Sequence, residues 1–225
     1  LSKKSADLRK VLILGGLGNG SVIANAITHA QRLGATDLEC AGFLNDRTPV
    51  GEYIDDYPVL GKVEDAPKFQ EQGYLFINTI LRIDNQCERL DLFAHLGIDD
   101  AHLATFVHPM AYVAPNVKME PGTVIMPQAC VSPGTHFGRG CLVMVAATIG
   151  HDDEIGEFTH IAAQACVGSY LKIGRGVHIG LNSTIRENLT LGDYSTVGMG
   201  AVLTKDVGEK EIWVGNPAKF LRKAE

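Results

Sequence analysis

The sequence predicts an α/β unit, a small Rossmann-like parallel sheet over residues 1–105, followed by a left-handed parallel β-helix over 106–225 that ends in a C-terminal tail. Three observations carry this. Strand-like and helix-like segments alternate up to about residue 105. A glycine-rich turn, Gly15-Gly-Leu-Gly-Asn-Gly20, joins the first strand to the first helix. An apolar residue then recurs every six positions without a break from Val107 to Leu203.

In the first unit, residues 10–14 (KVLIL) form a short apolar run that ends in the glycine turn. Val22, Ile23, Ala26, Ile27, Ala30 and Leu33 fall on one stripe, which predicts a helix over 22–33. Residues 40–44 read as a second strand, followed by the polar Asn45-Asp46-Arg47. Residues 67–71 start a short helix, 74–78 give a third strand, and 86–96 a helix that Gly97 can stop. This alternation implies parallel strands with crossover helices.

The six-residue series runs Val107, Val113, Met119, Ile125, Val131, Phe137, Val143, Ile149, Ile155, Ile161, Val167, Ile173, Ile179, Ile185, Leu191, Val197, Leu203. Glycine often follows the aliphatic, as at Gly138, Gly150, Gly156, Gly168, Gly174, Gly180, Gly192 and Gly198. Four places after the aliphatic stands a small or branched residue such as Ala129, Thr135, Cys141, Ala147 or Thr159. Six matches neither a helix nor an amphipathic strand. It fits a coil of three flat faces, each sending one aliphatic and one small residue inward, with stacked coils pairing in parallel. Glycine is expected to relieve corners of positive φ. A sandwich would show irregular turn spacing. The left-handed winding of such solenoids departs from the usual right-handed crossover.

The net charge of −6 and pI near 5.7 argue against a nucleic-acid binder, which needs a basic face. No stretch is long and apolar enough for a membrane span, and no charged-then-apolar leader precedes the first strand. The chain opens with Leu1, and its natural start is expected upstream. The five cysteines form no C-x-x-C pair and are odd in number, which fits reduced thiols in a cytoplasmic protein.

Several segments together resemble the bacterial sugar acyltransferases of the sialic acid O-acetyltransferase and bacillosamine-pathway N-acetyltransferase family. They are Ile13-Leu-Gly-Gly-Leu-Gly-Asn-Gly20, Gly42-Phe-Leu-Asn-Asp46, Tyr57-Pro-Val-Leu-Gly61, Val107-His-Pro-Met-Ala-Tyr-Val113, Ile149-Gly-His-Asp-Asp-Glu-Ile-Gly-Glu-Phe-Thr-His160 and Val214-Gly-Asn-Pro-Ala-Lys219. The resemblance covers nearly the whole chain. It implies acyl-CoA-dependent transfer to a hydroxyl or amine of a sugar, often nucleotide-linked. It also implies a homotrimer with the active site between neighbouring β-helices, and an N-terminal domain that holds the nucleotide sugar.

Carried onto this chain, the resemblance makes His151 the general base and Asp152 the carboxylate that orients its ring, chemistry suited to a side chain that titrates near neutrality. His160 falls near the thioester carbonyl, where an oxyanion develops. The pantetheine arm falls along Gly180, Leu181, Gly198 and Gly200, with Ser169 also facing the coenzyme. Gly16, Leu17, Gly18 and Asn19 hold the nucleotide sugar, with Asn45 and Asp46 near its base or ribose. Lys205 or Lys219 can meet the coenzyme phosphates, in keeping with the excess of basic residues from Lys172 onward, although a mixed solvated surface reads the same way.

From the residues alone, a lone solvent-facing histidine remains the plain reading of His151. For the glycine turn a dinucleotide is the competing reading, but it would want a third glycine two residues further on and a second half-domain, neither of which is evident. Three positions depart from the family. Asn19 stands where histidine is common, and Met144 where an amino-sugar enzyme has an asparagine that contacts the acceptor. Asp153 takes an inward place normally held by a small residue, so it must turn out toward His151 or be hydrogen-bonded inside. His160 and His178, 18 residues apart, should stack one coil above the other. That could suit a metal pair, as in a hexapeptide-fold carbonic anhydrase, but the ligand spacing and the glycine-turn domain do not follow that class.

The expected function is acetyl-CoA-dependent N-acetylation of a nucleotide-linked amino sugar for surface-glycan synthesis, with no metal. O-acetylation of a sialic-acid-like sugar and a non-catalytic trimeric assembly module are the alternatives.

Overall fold

The computed structural model describes residues 8–81 and 84–224; Leu1, with the expected upstream start, and Glu225 lie outside them. Strands β1 (Arg9–Leu14), β2 (Leu38–Leu44), β3 (Tyr53–Ile54), β4 (Tyr57–Gly61) and β5 (Leu75–Asn78) form one sheet in the order β3-β4-β2-β1-β5. β1 pairs in parallel with both β2 and β5, and β2 with β4. Only the β3–β4 hairpin is antiparallel, turning at Asp55 with φ 49°. Helices α1 (Asn19–Arg32), α2 (Ala66–Glu71) and α3 (Gln86–His95) fall where the sequence predicts them, with ends shifted by at most three residues.

From Phe106 onward the chain winds through three faces in strict rotation. The first face carries the pairs Tyr112–Val113, Cys130–Val131, Thr148–Ile149, Cys166–Val167, Thr184–Ile185 and Val202–Leu203. The second carries Lys118–Met119, His136–Phe137, Glu154–Ile155, Lys172–Ile173 and Thr190–Leu191. The third carries Phe106–Val107, Val124–Ile125, Leu142–Val143, His160–Ile161, His178–Ile179 and Thr196–Val197, and is extended by Glu211–Val214 and Lys219–Lys223. Every pairing within the coils is parallel and joins residues 18 apart, three hexads, so the winding is the left-handed β-helix that the period implies. The second residue of each pair points inward, and the stacked Ile, Val, Leu and Phe side chains form one continuous core.

The corners refine one expectation. Positive φ falls three residues beyond the aliphatic, where glycine fills it at Gly122, Gly134, Gly140, Gly176 and Gly200 and other residues fill it at Gln128, Ala146, Asp152, Phe158, Gln164, Tyr170, Asn182 and Tyr194. The glycine after the aliphatic serves close approach instead. A Cβ on Gly150 would run into the Gly168 carbonyl of the next coil, and one on Gly156 would lie 2.5 Å from the Gly174 carbonyl carbon.

The α/β unit packs on the third face. Val124, Met126, Leu142 and Met144 join Ile23, Ile27, Phe43 and Ile77 in one apolar cluster. Phe158 and Leu103 join Phe76, Leu90 and Phe93 in another. A second tie is polar, where His29 of α1 stacks on the buried His108 with its Nδ1 3.0 Å from His108 Nε2. No helix among the described residues is long and apolar enough to cross a membrane.

Candidate active site

The corner from the first face to the second, residues 150–153, presents His151 to solvent with 47% of its side chain exposed. His151 Nδ1 lies 2.8 Å from Asp152 Oδ2. A carboxylate can only accept, so Nδ1 carries the proton and Nε2 keeps its lone pair turned outward. Asp152 reaches this position because its backbone adopts φ 57°, which aspartate tolerates better than most residues. Its Oδ1 lies over Gly134 of the coil below, where a Cβ would collide with it.

The coil above completes the corner. Ser169 Oγ accepts the His151 N–H at 3.1 Å, and the Tyr170 N–H donates to the His151 carbonyl at 3.1 Å. The Tyr170 ring stands edge-on to the imidazole at 4.8 Å. Ser169 thus supports the base directly, and Tyr170 is a neighbour that the sequence reading missed. The hexad register held the signal, since Tyr170 stands 18 residues after Asp152.

The second group lies on the third face, under the glycine turn. His160 is 7% exposed, and its Nε2 lies 3.2 Å from Asn19 Nδ2. Its Nδ1 lies 3.0 Å from Nδ1 of His178, which stacks on it at 5.0 Å as the 18-residue spacing predicts. Burial holds both imidazoles neutral, with the pKa of His160 lowered to about 3 and that of His178 to about 4. If Asn19 donates its amide N–H, His160 accepts on Nε2 and must donate from Nδ1 to His178. Asn19, in the place where histidine is common, therefore links the glycine turn to the β-helix. Among the described residues no third potential ligand joins the pair to make a metal cluster.

The glycine turn leaves the N-terminus of α1 without a side-chain cap and without an acid in its first turn, the arrangement that suits a phosphate. Leu17 at its tip is 78% exposed. Gly16 lies under Asn45, with Nδ2 2.7 Å from where a Cβ would stand. Asn45 is largely occupied with the loop itself, donating to the Gly15 carbonyl at 2.7 Å and accepting from the Arg47 and Thr48 amides. Asp46 accepts the Val63 N–H at 3.0 Å. Met144 is 5% exposed and packs in the cluster that joins α1 to the coils.

The third group follows the corner from the third face to the first. Gly180, Leu181, Gly198 and Gly200 line it, the Gly200 N–H donates to the Leu181 carbonyl at 2.8 Å, and Leu181 and Met199 form an exposed apolar rim. Lys205 is exposed just beyond the Val202–Leu203 pair. Within one chain these groups stand apart. The His151 corner is the edge opposite the third face, which carries His160 and meets Asn19 of α1.

A left-handed β-helix with a His–Asp pair at one corner and a glycine-turn α/β unit on one face defines an acyltransferase of the hexapeptide-repeat class. No family model matches the chain, and no curated protein matches it. Solved structures do. The acetyltransferase domain of PglB from Neisseria gonorrhoeae is 30% identical over 95% of this chain and 100% of that one, with a TM-score of 0.80, and the same domain in complex with acetyl coenzyme A gives 0.79. PerB from Caulobacter crescentus, in complex with CoA and GDP-perosamine, matches at 23% identity over 95% of this chain and 97% of that one, with a TM-score of 0.79. WeeI from Acinetobacter baumannii matches at 22% over 94% of this chain and 100% of that one, with a TM-score of 0.69. The chain belongs to the family of hexapeptide-repeat sugar N-acetyltransferases.

Proposed function

We propose that the protein moves the acetyl group of acetyl-CoA onto the amine of a nucleotide-linked amino sugar for surface-glycan synthesis, with His151 as general base. The exposed His151–Asp152 pair carries this reading. Asp152 fixes the tautomer that leaves Nε2 free to take a proton from the attacking amine, and the imidazolium so formed is stabilised by the same carboxylate. As the amine nitrogen bonds to the thioester carbonyl carbon and the carbon–sulfur bond breaks, His151 can return that proton to the departing thiolate. PglB's acetyl coenzyme A complex and PerB's complex with CoA and GDP-perosamine support the donor and acceptor classes. The uncapped N-terminus of α1 is a fitting phosphate site, with Gly16, Leu17, Gly18 and Asn19 around it, Asn45 tied to the Gly15 carbonyl and Asp46 next to Asn45 in the chain.

The working unit in this proposal is a homotrimer. The outward column of the first face is Tyr112, Cys130, Thr148, Cys166, Thr184 and Val202, with no charge, whereas the second face shows Lys118, His136, Glu154 and Lys172. Interface cores are depleted of charge, so the first face suits contact with another copy. A closed ring brings one corner of that face, bearing His151, against a different corner of the neighbour, where Gly180, Leu181, Gly198, Gly200 and Lys205 would flank the coenzyme. The site would then draw on two copies, with His160 and Met144 beside the glycine turn. Acetyl-CoA and nucleotide sugars are cytoplasmic metabolites, and the five free cysteines agree with that compartment.

Thiol release from acetyl-CoA in the presence of nucleotide-linked amino sugars, free amino sugars and sialic acids tests the reading. Turnover with a nucleotide-linked amine is the expected result. Turnover only with sialic acid would make the protein an O-acetyltransferase, and none with any acceptor would make it an assembly module.

A further inference from the structure

Asp153 has no part in the chemistry above, yet it is wholly buried next to the base. It points into the coil, where the rest of the column is apolar or small. Its Oδ1 accepts the Leu171 N–H at 2.8 Å, and its Oδ2 has no hydrogen-bond partner. Buried oxygens of this kind are costly when unpaired.

The coils themselves identify a partner. Three other inward side chains donate to the carbonyl 15 residues further on. Thr135 reaches Gly150 at 3.0 Å, Thr159 reaches Gly174 at 3.0 Å and Cys141 reaches Gly156 at 3.2 Å. Asp153 occupies the same hexad position, and for it the equivalent carbonyl belongs to Gly168. All three of those side chains carry a hydrogen to donate, and Asp153 does so only as a carboxylic acid.

We propose that Asp153 is a positioning residue held as the neutral acid, its Oδ1 accepting from the Leu171 amide and its Oδ2–H donating to the Gly168 carbonyl. One side chain then clamps both ends of the turn 168–171, the turn whose Ser169 Oγ and Tyr170 N–H hold the His151 backbone. The inference rests on the reading of His151 as the base. The ionisable groups facing Asp153 are His151 and Asp152 on its own turn and Tyr170 on the turn above; the turn below, 132–135, carries none. Burial raises the carboxyl's pKa to about 7, against the opposing Leu171 hydrogen bond and the attraction of His151.

The sign follows from that raised value. The acid's favourable contribution to folding is complete below the ordinary carboxylate range and is lost as pH rises toward about 7, because the unfolded chain ionises first. Above that pH the clamp loses its donor, and a carboxylate lies behind the base. Wild-type turnover is therefore expected to fall on the alkaline side. Asp153→Asn, which keeps one acceptor and gains a permanent donor, should hold its rate there and melt higher than wild type, with the difference shrinking at acid pH. Asp153→Ala should lose about tenfold in kcat below about pH 7, with the gap to wild type narrowing above it and the KM for the acceptor unmoved.

Difference infrared spectra of wild type against Asp153→Asn read the proton directly. The protonated-acid carbonyl band should be present at about pH 6 and disappear as the pH is raised. An ionised Asp153 at that pH, or an Asp153→Asn variant as impaired as Asp153→Ala, overturns the clamp. If Asp153→Ala fails to fold, the Asn profile and the infrared band decide the question alone. The failures are separable. Full activity in His151→Ala would sink the base and leave the band standing, whereas a missing band with an inactive His151→Ala would sink only the clamp.

Discussion

Replacing His151 with alanine is expected to lower kcat by a factor of about 10²–10⁴, the usual worth of a positioned general base. The loss should fall on kcat, because the imidazole takes its proton as the amine attacks and adds little to ground-state binding of either substrate. The fold should stand, since the side chain is half exposed and its only side-chain hydrogen bond is to Asp152, itself on the surface. Stability should move by less than about 0.5 kcal/mol. Asp152→Asn should also lower kcat, because the amide can present its N–H to Nδ1 and turn the proton onto Nε2, which then cannot accept one from the amine. Thiol release at saturating concentrations of both substrates measures the effect, and undiminished turnover in His151→Ala would remove His151 from the chemistry.

The largest stability effect is expected at Phe158. It is buried, stands at φ 56°, meets the Phe93 ring edge-on at 5.2 Å and lies under the Arg139 guanidinium at 5.1 Å. It is the buried side chain through which the coils enter the cluster formed by Phe76, Leu90 and Phe93 of the α/β unit, with Tyr194 from further up the coils packed against that cluster. Truncation to alanine opens a cavity between two packed units and should cost about 3–5 kcal/mol. Alanine is no more at ease at positive φ than phenylalanine, so no relief of backbone strain offsets the loss. The melting temperature should drop by about 10 °C, using the scaling for a chain of this size. Since α3 rests on Phe158 through Leu90 and Phe93, limited proteolysis should cut near α3 before it reaches the coils. An unchanged melting temperature would show that this contact does not hold the two units together.

The β-helix is legible in the sequence because its period is local. A residue's inward or outward place is set by its hexad, and its coil neighbours stand a fixed 18 residues away, so the stacking of His160 on His178 follows from their spacing alone. What the period leaves out is contact with the α/β unit. Nothing in the hexad of His160 foretells Asn19, and nothing around His108 foretells His29. The hairpin of Tyr53–Ile54 with Tyr57–Gly61 and the C-terminal pair Glu211–Val214 and Lys219–Lys223 escape prediction because short strands with mixed polarity carry no clear period. The glycines divide into two kinds. Those directly after the aliphatic mark where coils touch, and the left-handed positions two places further on are shared by glycines such as Gly134, Gly140 and Gly176 with Asp152, Phe158 and Tyr170.

At the site, His151 and Asp152 are legible as neighbours in sequence, while the support from Ser169 and Tyr170 comes from the coil above. The hexad admits Asp153 in either an outward or an inward placement. The fold turns it inward, onto the Leu171 amide.

The most direct measurement is a crystal structure with coenzyme A and a nucleotide-linked amino sugar bound. The sugar amine should lie about 3 Å from a His151 Nε2 supplied by a neighbouring copy, within hydrogen-bond reach of the proton it takes. The diphosphate should rest on the free N–H groups at the start of α1. A sugar amine held away from every His151, or a diphosphate that bypasses the glycine turn, would contradict the proposed site.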